Sequence, residues 1–200
     1  MSSQIGVESR NDWLASGRHI MLRPVFAGDI PRLADLLAEA PLGIEDDPYP
    51  WTESRLRCRF EDKASPGLWG ANLKLYTVAS LDNQVVGYVH EFLRSTGGTV
   101  IRFHIADKVE SRDTYGEDAV AVYLDMARQW NTLPRVTATA LACEALKRSW
   151  LESAGFQLEV TCREGVLYEG RPQDYVVYGW VAPWAILNCV PAGAQAKELS

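Results

Sequence analysis

Three stretches with β-strand character follow one another between residues 70 and 107, and this run constrains the fold more than any other part of the sequence. The turns between them are short: one spans Asp82 to Gln84, and the other is the Thr-Gly-Gly sequence of residues 96–98. Turns of this length join strands as antiparallel neighbours. The centre of the chain therefore predicts a three-stranded antiparallel unit, which we call the central run.

Patterns typical of helices and of further strands flank the central run on both sides. Apolar residues at Ile30, Leu33 and Leu37 have the spacing of one helix face. Asp29, just before them, predicts a helix cap. In chain order, the elements predicted outside the central run are a strand over His19–Val25, a helix from Asp29, a short helix capped by Thr52, a helix that ends before Pro134, a strand over residues 135–142, a helix closed by Gly155 and a hairpin over residues 158–181 that turns at Glu169–Gly170. This order predicts an α+β fold, in which helices flank one mixed, mostly antiparallel central sheet.

The length and the composition predict one folded domain. A chain of 200 residues, of which 47% are hydrophobic, can bury a sizeable core. The polar residues 1–17 predict a flexible N-terminal extension, and residues 185–200 predict a C-terminal tail. Residues 18–184 are then a single domain.

The charge and the cysteine pattern argue against several classes of protein. A net charge of −6 does not suit nucleic-acid binding, because phosphate backbones are bound by clustered Lys and Arg side chains. The four cysteines have no paired spacing, so no metal site is predicted. The sequence has neither an apolar run of about 18 residues nor a signal-peptide pattern. We therefore expect no membrane contact and predict a cytoplasmic protein.

Two segments near the ends of the predicted domain carry residues at the spacing of a known signature. The first, from His19 to Leu37, has an opening strand, an Arg-Pro pair and an Asp-led helix. The second covers residues 150–180 and is the more specific, with Glu152, Gly155–Phe156, Arg163–Glu164, Gly170–Arg171 and Asp174. These segments resemble the GNAT superfamily of N-acetyltransferases, and in particular its RimJ/RimL-like branch.

The resemblance implies an activity and leaves one alternative open. It implies that acetyl-CoA, or another acyl-CoA, donates an acetyl group by direct attack to the primary amine of a small molecule or of a peptide N-terminus. A homodimer is a further expectation. The alternative is a GNAT-fold protein that binds a small molecule or a partner, either without catalysis or with another donor, and has lost normal coenzyme A binding.

The family's cofactor loop comes just before the helix that ends at Pro134, and the chain departs from its pattern there. The pattern is Arg or Gln, two residues, Gly, one residue, and then Gly or Ala. Small residues let the backbone N–H groups of a helix N-terminus approach a pyrophosphate. The chain is aligned to this pattern through Tyr115, and the resemblance implies that the cofactor-binding residues of the loop are Arg112, Thr114, Tyr115, Gly116 and Glu117. It then has Ser111 at the first place, Thr114 at the first glycine and Gly116 at the second.

Two interpretations of this loop are open. In the first, the donor still binds here, because Arg112 replaces the lost backbone contacts with a charged one. In the second, Thr114 and Glu117 form a capping box and satisfy the backbone donors that a pyrophosphate would use. The helix would then need no ligand at its N-terminus.

The resemblance also places donor contacts outside this loop. Glu144 stands where the family's next helix usually begins with Asn, and Lys147 stands where that helix usually has Ser. Leu151 occupies the place of the family's usual tyrosine acid. Ile105, at the end of the third strand of the central run, is expected to contact the donor as well.

A general base for the amine is expected on the central strands, within reach of the reacting nitrogen. Glu91 lies on the second strand of the central run and His104 on the third. An antiparallel pairing of these two residues would make them the catalytic pair.

The acceptor is expected to contact the loop between the first two helices, which forms one wall of the acceptor site in the family. In this chain that loop carries Glu45, Asp46, Tyr49 and Trp51. Acids beside aromatic rings suit a cationic acceptor, through charge pairing and cation–π contact. We count His90 with them as a substrate-binding residue.

Overall fold

The computed structural model of the chain describes residues 15–40, 51–61, 73–93, 98–130 and 133–187. Its strands are β1 (Ala15–Ser16), β2 (Ile20–Pro24), β3 (Leu73–Ser80), β4 (Val85–Leu93), β5 (Thr99–Ile105), β6 (Arg135–Leu141), β7 (Gln157–Tyr168) and β8 (Arg171–Val181). Its α-helices are α1 (Ile30–Glu39), α2 (Glu53–Glu61), α3 (Arg112–Trp130), α4 (Ala145–Ser153) and α5 (Pro183–Leu187), and a 3₁₀ turn over Ala27–Asp29 leads into α1. The predicted order of elements is confirmed, and β1 and α5 are added at its two ends.

The eight strands form one sheet in the order β1-β2-β3-β4-β5-β6-β8-β7. β5 and β6 run parallel, because the chain crosses between them through α3. The other neighbouring pairs in this order are antiparallel. The predicted α+β class, with a mixed and mostly antiparallel sheet, is confirmed. Because β1 pairs with β2, the sheet begins inside the segment that the sequence predicted to be an extension.

Two local signals in the sequence have the predicted structural effect. Glu169 and Gly170, at the turn of the β7–β8 hairpin, have positive φ angles of 50° and 73°. Tight hairpin turns need positive φ at such positions, and glycine adopts it without a steric penalty. Thr52 caps α2, since its hydroxyl accepts the backbone N–H of Arg55 at 3.3 Å.

Helices cover both faces of the sheet, and each face has its own hydrophobic core. α3 and α4 cover one face, which we call the α3 face, and pack on side chains that include Val89, Ile101 and Phe103. α1 and α2 cover the other, the α1 face, and pack on side chains that include Leu75 and Tyr88. Side chains alternate between faces along a strand, so one residue of register decides which core a side chain joins. Within the described residues, no helix is long and apolar enough to cross a membrane.

Asp29 stands at the N-cap position of α1, as the sequence predicted, but its carboxylate makes no capping hydrogen bond to the helix because it has other partners. It accepts the backbone N–H of Phe26 at 2.8 Å and the hydroxyl of Thr77 at 3.0 Å. Two further hydrogen bonds, of 2.6 and 2.9 Å, come from the guanidinium of Arg23. The Asp-led turn therefore fastens the start of α1 to strands β2 and β3.

Candidate active site

β5 and β6 separate towards their carboxyl ends. They pair at three positions, the last of which is Ile101 opposite Ala138. Beyond this point, residues 102–105 pair with β4 and residues 139–141 pair with β8, but the two segments do not pair with each other. Backbone donors and acceptors on both sides of the opening are therefore available to a bound molecule. We call this opening the strand gap.

Four buried side chains lie together on the α1 face beside the strand gap. The register of β4 and β5 sets Tyr88 opposite His104 and His90 opposite Arg102. Each of the four is at most 7% exposed. Burying polar and charged groups costs free energy unless they form hydrogen bonds or ion pairs. A buried cluster of this kind therefore indicates either such interactions within the fold or a role in binding or catalysis. We take this cluster, the polar cluster, as the centre of the candidate active site.

His104 is the best-placed proton acceptor in the polar cluster. Its Nε2 lies 3.7 Å from Oε2 of Glu39, at the end of α1. This buried nitrogen has no hydrogen-bonding partner among the described residues. Burial, followed by the nearby charge of Lys147, lowers the pKa of His104 to about 4. The imidazole is therefore neutral at pH 7 and able to accept a proton.

His90 lies deeper in the same cluster. It is fully buried, and its ring centroid is 3.8 Å from that of Phe92. Burial, followed by the charge of Arg102, lowers the pKa of His90 to about 3. The substrate-binding role that we expected for His90 stays a prediction.

Glu91 does not pair with His104, so the expected pairing of these two residues is wrong. The register sets Glu91 opposite Ile101. Because side chains alternate along β4, the side chain of Glu91 points to the α3 face, opposite to that of its neighbour His90. There its carboxylate accepts hydrogen bonds from the hydroxyls of Tyr76 at 3.2 Å and Tyr123 at 3.0 Å. Glu91 is thus a satisfied buried carboxylate on the opposite side of the sheet from the polar cluster.

Lys147 and Glu144 reach the strand gap from the start of α4. The backbone N–H of Ala142 bonds to the carbonyl of Asp174 on β8, so the N–H of Leu141, one residue earlier, faces the gap. Glu144 accepts that N–H at 2.7 Å with Oε2, while its Oε1 lies 3.4 Å from Nζ of Lys147. The resemblance placed both residues near the donor, and the structure brings both to the gap.

The capping box predicted at Thr114 and Glu117 is wrong, because α3 begins earlier than the sequence suggested. The carbonyl of Ser111 already accepts the backbone N–H of Tyr115 at 2.9 Å, and the helix starts at Arg112. Thr114 therefore lies inside the first turn and cannot act as the residue that precedes it.

The first turn of α3 does not fit a pyrophosphate in the way that the resemblance implies. Arg112 is already paired with Asp107, at 2.6 Å. The carboxylate of Asp113 stands in the same turn and accepts the indole N–H of Trp150 at 2.6 Å. A negative side chain at a helix N-terminus competes with a bound phosphate for the same positive potential. The charge of Arg112 and the positive potential of the helix N-terminus would both attract a pyrophosphate, and both already interact with carboxylates of the protein.

Gly116 has a packing reason to be glycine. A Cβ at this position would lie 2.3 Å from ring atoms of Trp150, which α4 packs against the first turns of α3. The glycine that the sequence suggested as a remnant of a phosphate loop is thus required by the contact between two helices.

Replacing Gly116 with alanine is expected to lower the free energy of unfolding by about 1–2 kcal/mol. Overpacking a core costs about 1–3 kcal/mol, and the better helix propensity of alanine offsets at most about 1 kcal/mol. Urea unfolding of the Gly116→Ala variant measures the change. Gly28→Ala is the matched control, because a Cβ there has no atom within 4 Å. Equal stabilities of the two variants would contradict the packing role.

The stability of the fold is expected to fall as the pH falls from about 6.5 towards 4. Both His90 and His104 are neutral in the folded chain down to low pH, with pKa values of about 3 and about 4. In the unfolded chain they take up protons near their ordinary pKa of about 6.5. Unfolding near pH 5 therefore binds protons, and each contributes a slope of about 1.4 kcal/mol per pH unit.

Urea unfolding of the wild type and of His104→Asn at several pH values between 5 and 7 measures this linkage. We expect the variant to bind about one proton fewer on unfolding than the wild type. The same slope in both proteins would show that His104 does not titrate as described.

The remaining predicted site residues lie in three different situations. Glu45, Asp46 and Tyr49 lie outside the described residues, so their predicted role stays a prediction. Trp51 is buried among the α1-face core, and the guanidinium of Arg55 lies 4.2 Å from the centroid of its ring. Ile105 is fully buried on the α3 face, so it could reach a donor in the strand gap through its backbone only.

A groove of about 780 Å³ lies away from the polar cluster, between the β1–β2 turn, α3 and the end of α4. Two of the acids that line it are already bonded. Asp118 accepts the backbone N–H groups of His19 and Ile20, at 2.7 and 3.1 Å, and Asp125 pairs with Arg128 at 2.6 Å. We therefore place no reaction in this groove.

The sequence reasoning missed Glu39, Tyr88 and Arg102. On the strands, a signal was present in the sequence, because residues two apart on a strand face the same side. Tyr88 therefore shares a face with His90, and Arg102 shares a face with His104. Glu39 reaches His104 only because α1 packs across β5, and no local pattern predicts that contact. In the part of the chain that the structure describes, no three metal-binding side chains come together.

Comparison with known proteins gives a match in structure alone. No protein-family model and no curated protein sequence matches the chain. RimJ from Mycobacterium smegmatis, in complex with CoA-disulfide, is 16% identical, with a TM-score of 0.63 over 84% of this chain and 87% of that one. A mutant of the spermidine N-acetyltransferase SpeG from Vibrio cholerae is 15% identical, with a TM-score of 0.67 over 84% and 96%. A GNAT-family acetyltransferase from Bacillus anthracis is 15% identical, with a TM-score of 0.64 over 84% and 97%.

These likenesses concern architecture, since the identities are low while the coverage of each chain is high. RimL, solved in complex with coenzyme A, is 12% identical and matches with a TM-score of 0.66. A shared architecture does not by itself transfer an activity. The chain therefore has the fold of the GNAT acetyltransferases, RimJ and RimL among them, as the sequence resemblance predicted.

Proposed function

We propose that this chain is an N-acyltransferase that moves an acetyl group from a thioester donor to a primary amine by direct attack. The observation that carries the proposal is the strand gap with the polar cluster at its edge. An extended donor arm can pair with the backbone groups of residues 102–105 and 139–141 that face the gap, except the N–H of Leu141, which already donates to Glu144. The buried hydroxyl of Thr139 has no hydrogen-bonding partner among the described residues and suits the amide groups of such an arm.

His104 is the residue that we propose as general base. The acceptor, which is cationic in water, first releases one proton to solvent; the neutral amine nitrogen then attacks the thioester carbonyl carbon, and His104 Nε2 accepts the proton that the nitrogen loses as the amide forms. A neutral imidazole is needed for this step, and burial provides it at pH 7; the carboxylate of Glu39, at 3.7 Å from Nε2, is placed to stabilise the imidazolium that then forms. Glu39, which is 38% exposed, can attract a cationic amine to the entrance beside His104.

A primary amine is the acceptor that the comparisons support. SpeG is named as a spermidine N-acetyltransferase, and RimL as an alpha-N-protein acetyltransferase of ribosomal L7/L12. Both therefore use amines that are cationic in water. The acidic loop residues Glu45 and Asp46 and the aromatic residue Tyr49 would suit the same class of acceptor, and we propose them as its binding residues.

A second candidate function is favoured by the first turn of α3. Arg112 is engaged by Asp107, Asp113 brings negative charge, and Gly116 is used by Trp150. These features support a protein that has lost normal coenzyme A binding, or one that uses a pantetheine-type thioester without the nucleotide. In the latter case the strand gap keeps its role and the first turn of α3 has none.

Two donors separate these candidates. Purified protein is incubated with acetyl-CoA or with acetyl-pantetheine, which lacks the pyrophosphate, and with a panel of polyamines and peptide N-termini. Thiol release and the mass of the acetylated amine are measured, and calorimetry gives donor affinity. Acetylation with acetyl-CoA supports the first candidate, and acetylation with acetyl-pantetheine at similar efficiency supports the altered donor. Absence of product and of donor binding with both compounds overturns the transferase proposal.

A further inference from the structure

The Lys147 side chain is an ammonium group buried inside the strand gap. Lys147 is 8% exposed, and its Nζ lies 5.4 Å from the ring centroid of Phe103 on β5. Its carboxylate partner, Glu144, is held on β6 by the N–H of Leu141. Nζ therefore lies between the ends of the two separated strands, with Glu144 as its carboxylate partner at 3.4 Å.

Two arginines and one carboxylate act on the charge of Lys147. Arg102 and Arg112 are close enough for their charges to lower the pKa of Lys147, in addition to the larger effect of burial. Glu144 opposes this lowering but lies at 3.4 Å, longer than a typical charge-assisted hydrogen bond. A group that carries negative charge in the gap would thus be stabilised by Lys147.

We propose that Lys147 donates the proton to the thiolate that leaves when the thioester is cleaved, an inference that rests on the transferase function proposed above. The amine nitrogen forms its bond to the carbonyl carbon, and the carbon–sulfur bond breaks with its electron pair on sulfur. Lys147 Nζ gives one proton to that sulfur, and His104 takes one proton from the amine nitrogen. Water then carries a proton from His104 back to Lys147, so that the products are one amide and one thiol.

Leu151 leaves the usual place of the family's acid without a proton donor in this chain. At the place of the family's tyrosine acid it is fully buried in the α3-face core and carries no proton to give. Lys147, one helical turn earlier on α4, is the proton donor that the described structure places in the strand gap.

The first test needs no acceptor and no turnover. Pantetheine and coenzyme A are bound to the wild type and to Lys147→Met, and the thiolate absorbance of each bound thiol is followed in the ultraviolet as the pH is raised. We expect the thiol pKa to be at least about one unit lower in the wild type than in the variant, because a neighbouring ammonium favours the thiolate. Lys108→Met is the matched control, since it removes an exposed lysine. Equal thiol pKa values in the wild type and Lys147→Met would overturn the inference.

The second test varies the leaving group. With acetyl-pantetheine or acetyl-CoA, Lys147→Met is expected to lower kcat by about 100-fold. With an acetyl thioester of a nitro-substituted aryl thiol, whose thiolate leaves without a proton, the loss should be less than about threefold. Equal losses with both kinds of donor would show that Lys147 has a merely structural role, and a gain in donor affinity and rate would show that it only blocks the gap. Either outcome overturns the inference but leaves the proposed function standing, whereas a wild type that neither binds nor uses either donor overturns both.

Discussion

Replacing His104 with asparagine is expected to lower kcat for amine acetylation by about 100- to 10,000-fold, the range that a positioned general base contributes. Asparagine keeps a polar group of similar size in the polar cluster, so the packing around Tyr88 and Glu39 should change little. It cannot accept a proton near neutral pH. Steady-state kinetics with the donor and the acceptor found for the wild type measure the effect, and donor affinity by calorimetry should stay within about twofold.

Glu91→Gln is the matched control for this variant. Glu91 is as deeply buried as His104, but its carboxylate faces Tyr76 and Tyr123 on the other side of the sheet. We expect the variant to keep kcat at temperatures where it is folded. If Glu91→Gln loses as much activity as His104→Asn, or if His104→Asn keeps full activity, His104 is not the base.

Replacing Asp29 with alanine is expected to destabilise the fold by about 3–5 kcal/mol, because the change leaves the guanidinium of Arg23 buried without its carboxylate. Arg23 is 2% exposed, and both of its bonds to Asp29 are short. The backbone N–H of Phe26 and the hydroxyl of Thr77 lose their acceptor at the same time. The loss is a large part of the about 5–15 kcal/mol by which domains are stable. Urea unfolding at pH 7 measures it.

The double variant Arg23→Met/Asp29→Leu distinguishes two contributions to the free energy of unfolding: the destabilisation caused by a buried charge without its partner, and the stabilisation that the intact ion pair provides. Apolar side chains of similar volume often replace a buried ion pair at little cost, so the double variant should be more stable than Asp29→Ala. Glu53→Ala, which breaks the exposed pair with Arg57, should leave stability unchanged within error. A double variant as unstable as the single one would mean that the pair itself supplies the stability.

The order of helices and strands could be predicted from the sequence because its signals are local. Short connections fix β3, β4 and β5 as antiparallel neighbours, since four residues separate β3 from β4 and five separate β4 from β5, whereas a parallel pair needs a crossover of about a dozen residues or more. Glu169–Gly170 gives the last hairpin its turn by the same kind of local preference. The apolar spacing of Ile30, Leu33 and Leu37 likewise requires only the period of a helix.

The N-terminus of α3 shows where local signals mislead. Thr114 and Glu117 match a capping box in sequence, yet the helix begins two residues before Thr114. Gly116 resembles part of a phosphate loop, yet Trp150 requires its small size from another helix. The small size of Gly116 is explained by a residue distant in sequence, and the positions of Thr114 and Glu117 are explained by the residue at which the helix starts. The ends of helices are among the least certain parts of a sequence prediction.

Local sequence patterns were enough to predict the α+β architecture, the central strands and the histidines and acids that these strands carry. Which of these side chains share a face depends on the strand register of the folded sheet. The register of β4 and β5 sets Tyr88 opposite His104 and Glu91, three residues further along β4, opposite Ile101, and alternation along the strand then turns Glu91 into the opposite core. The packing of α1 and α4 across β5 then brings Glu39 to His104 and Lys147 into the strand gap. Those contacts join residues far apart in the chain, and local periodicity carries no information about them.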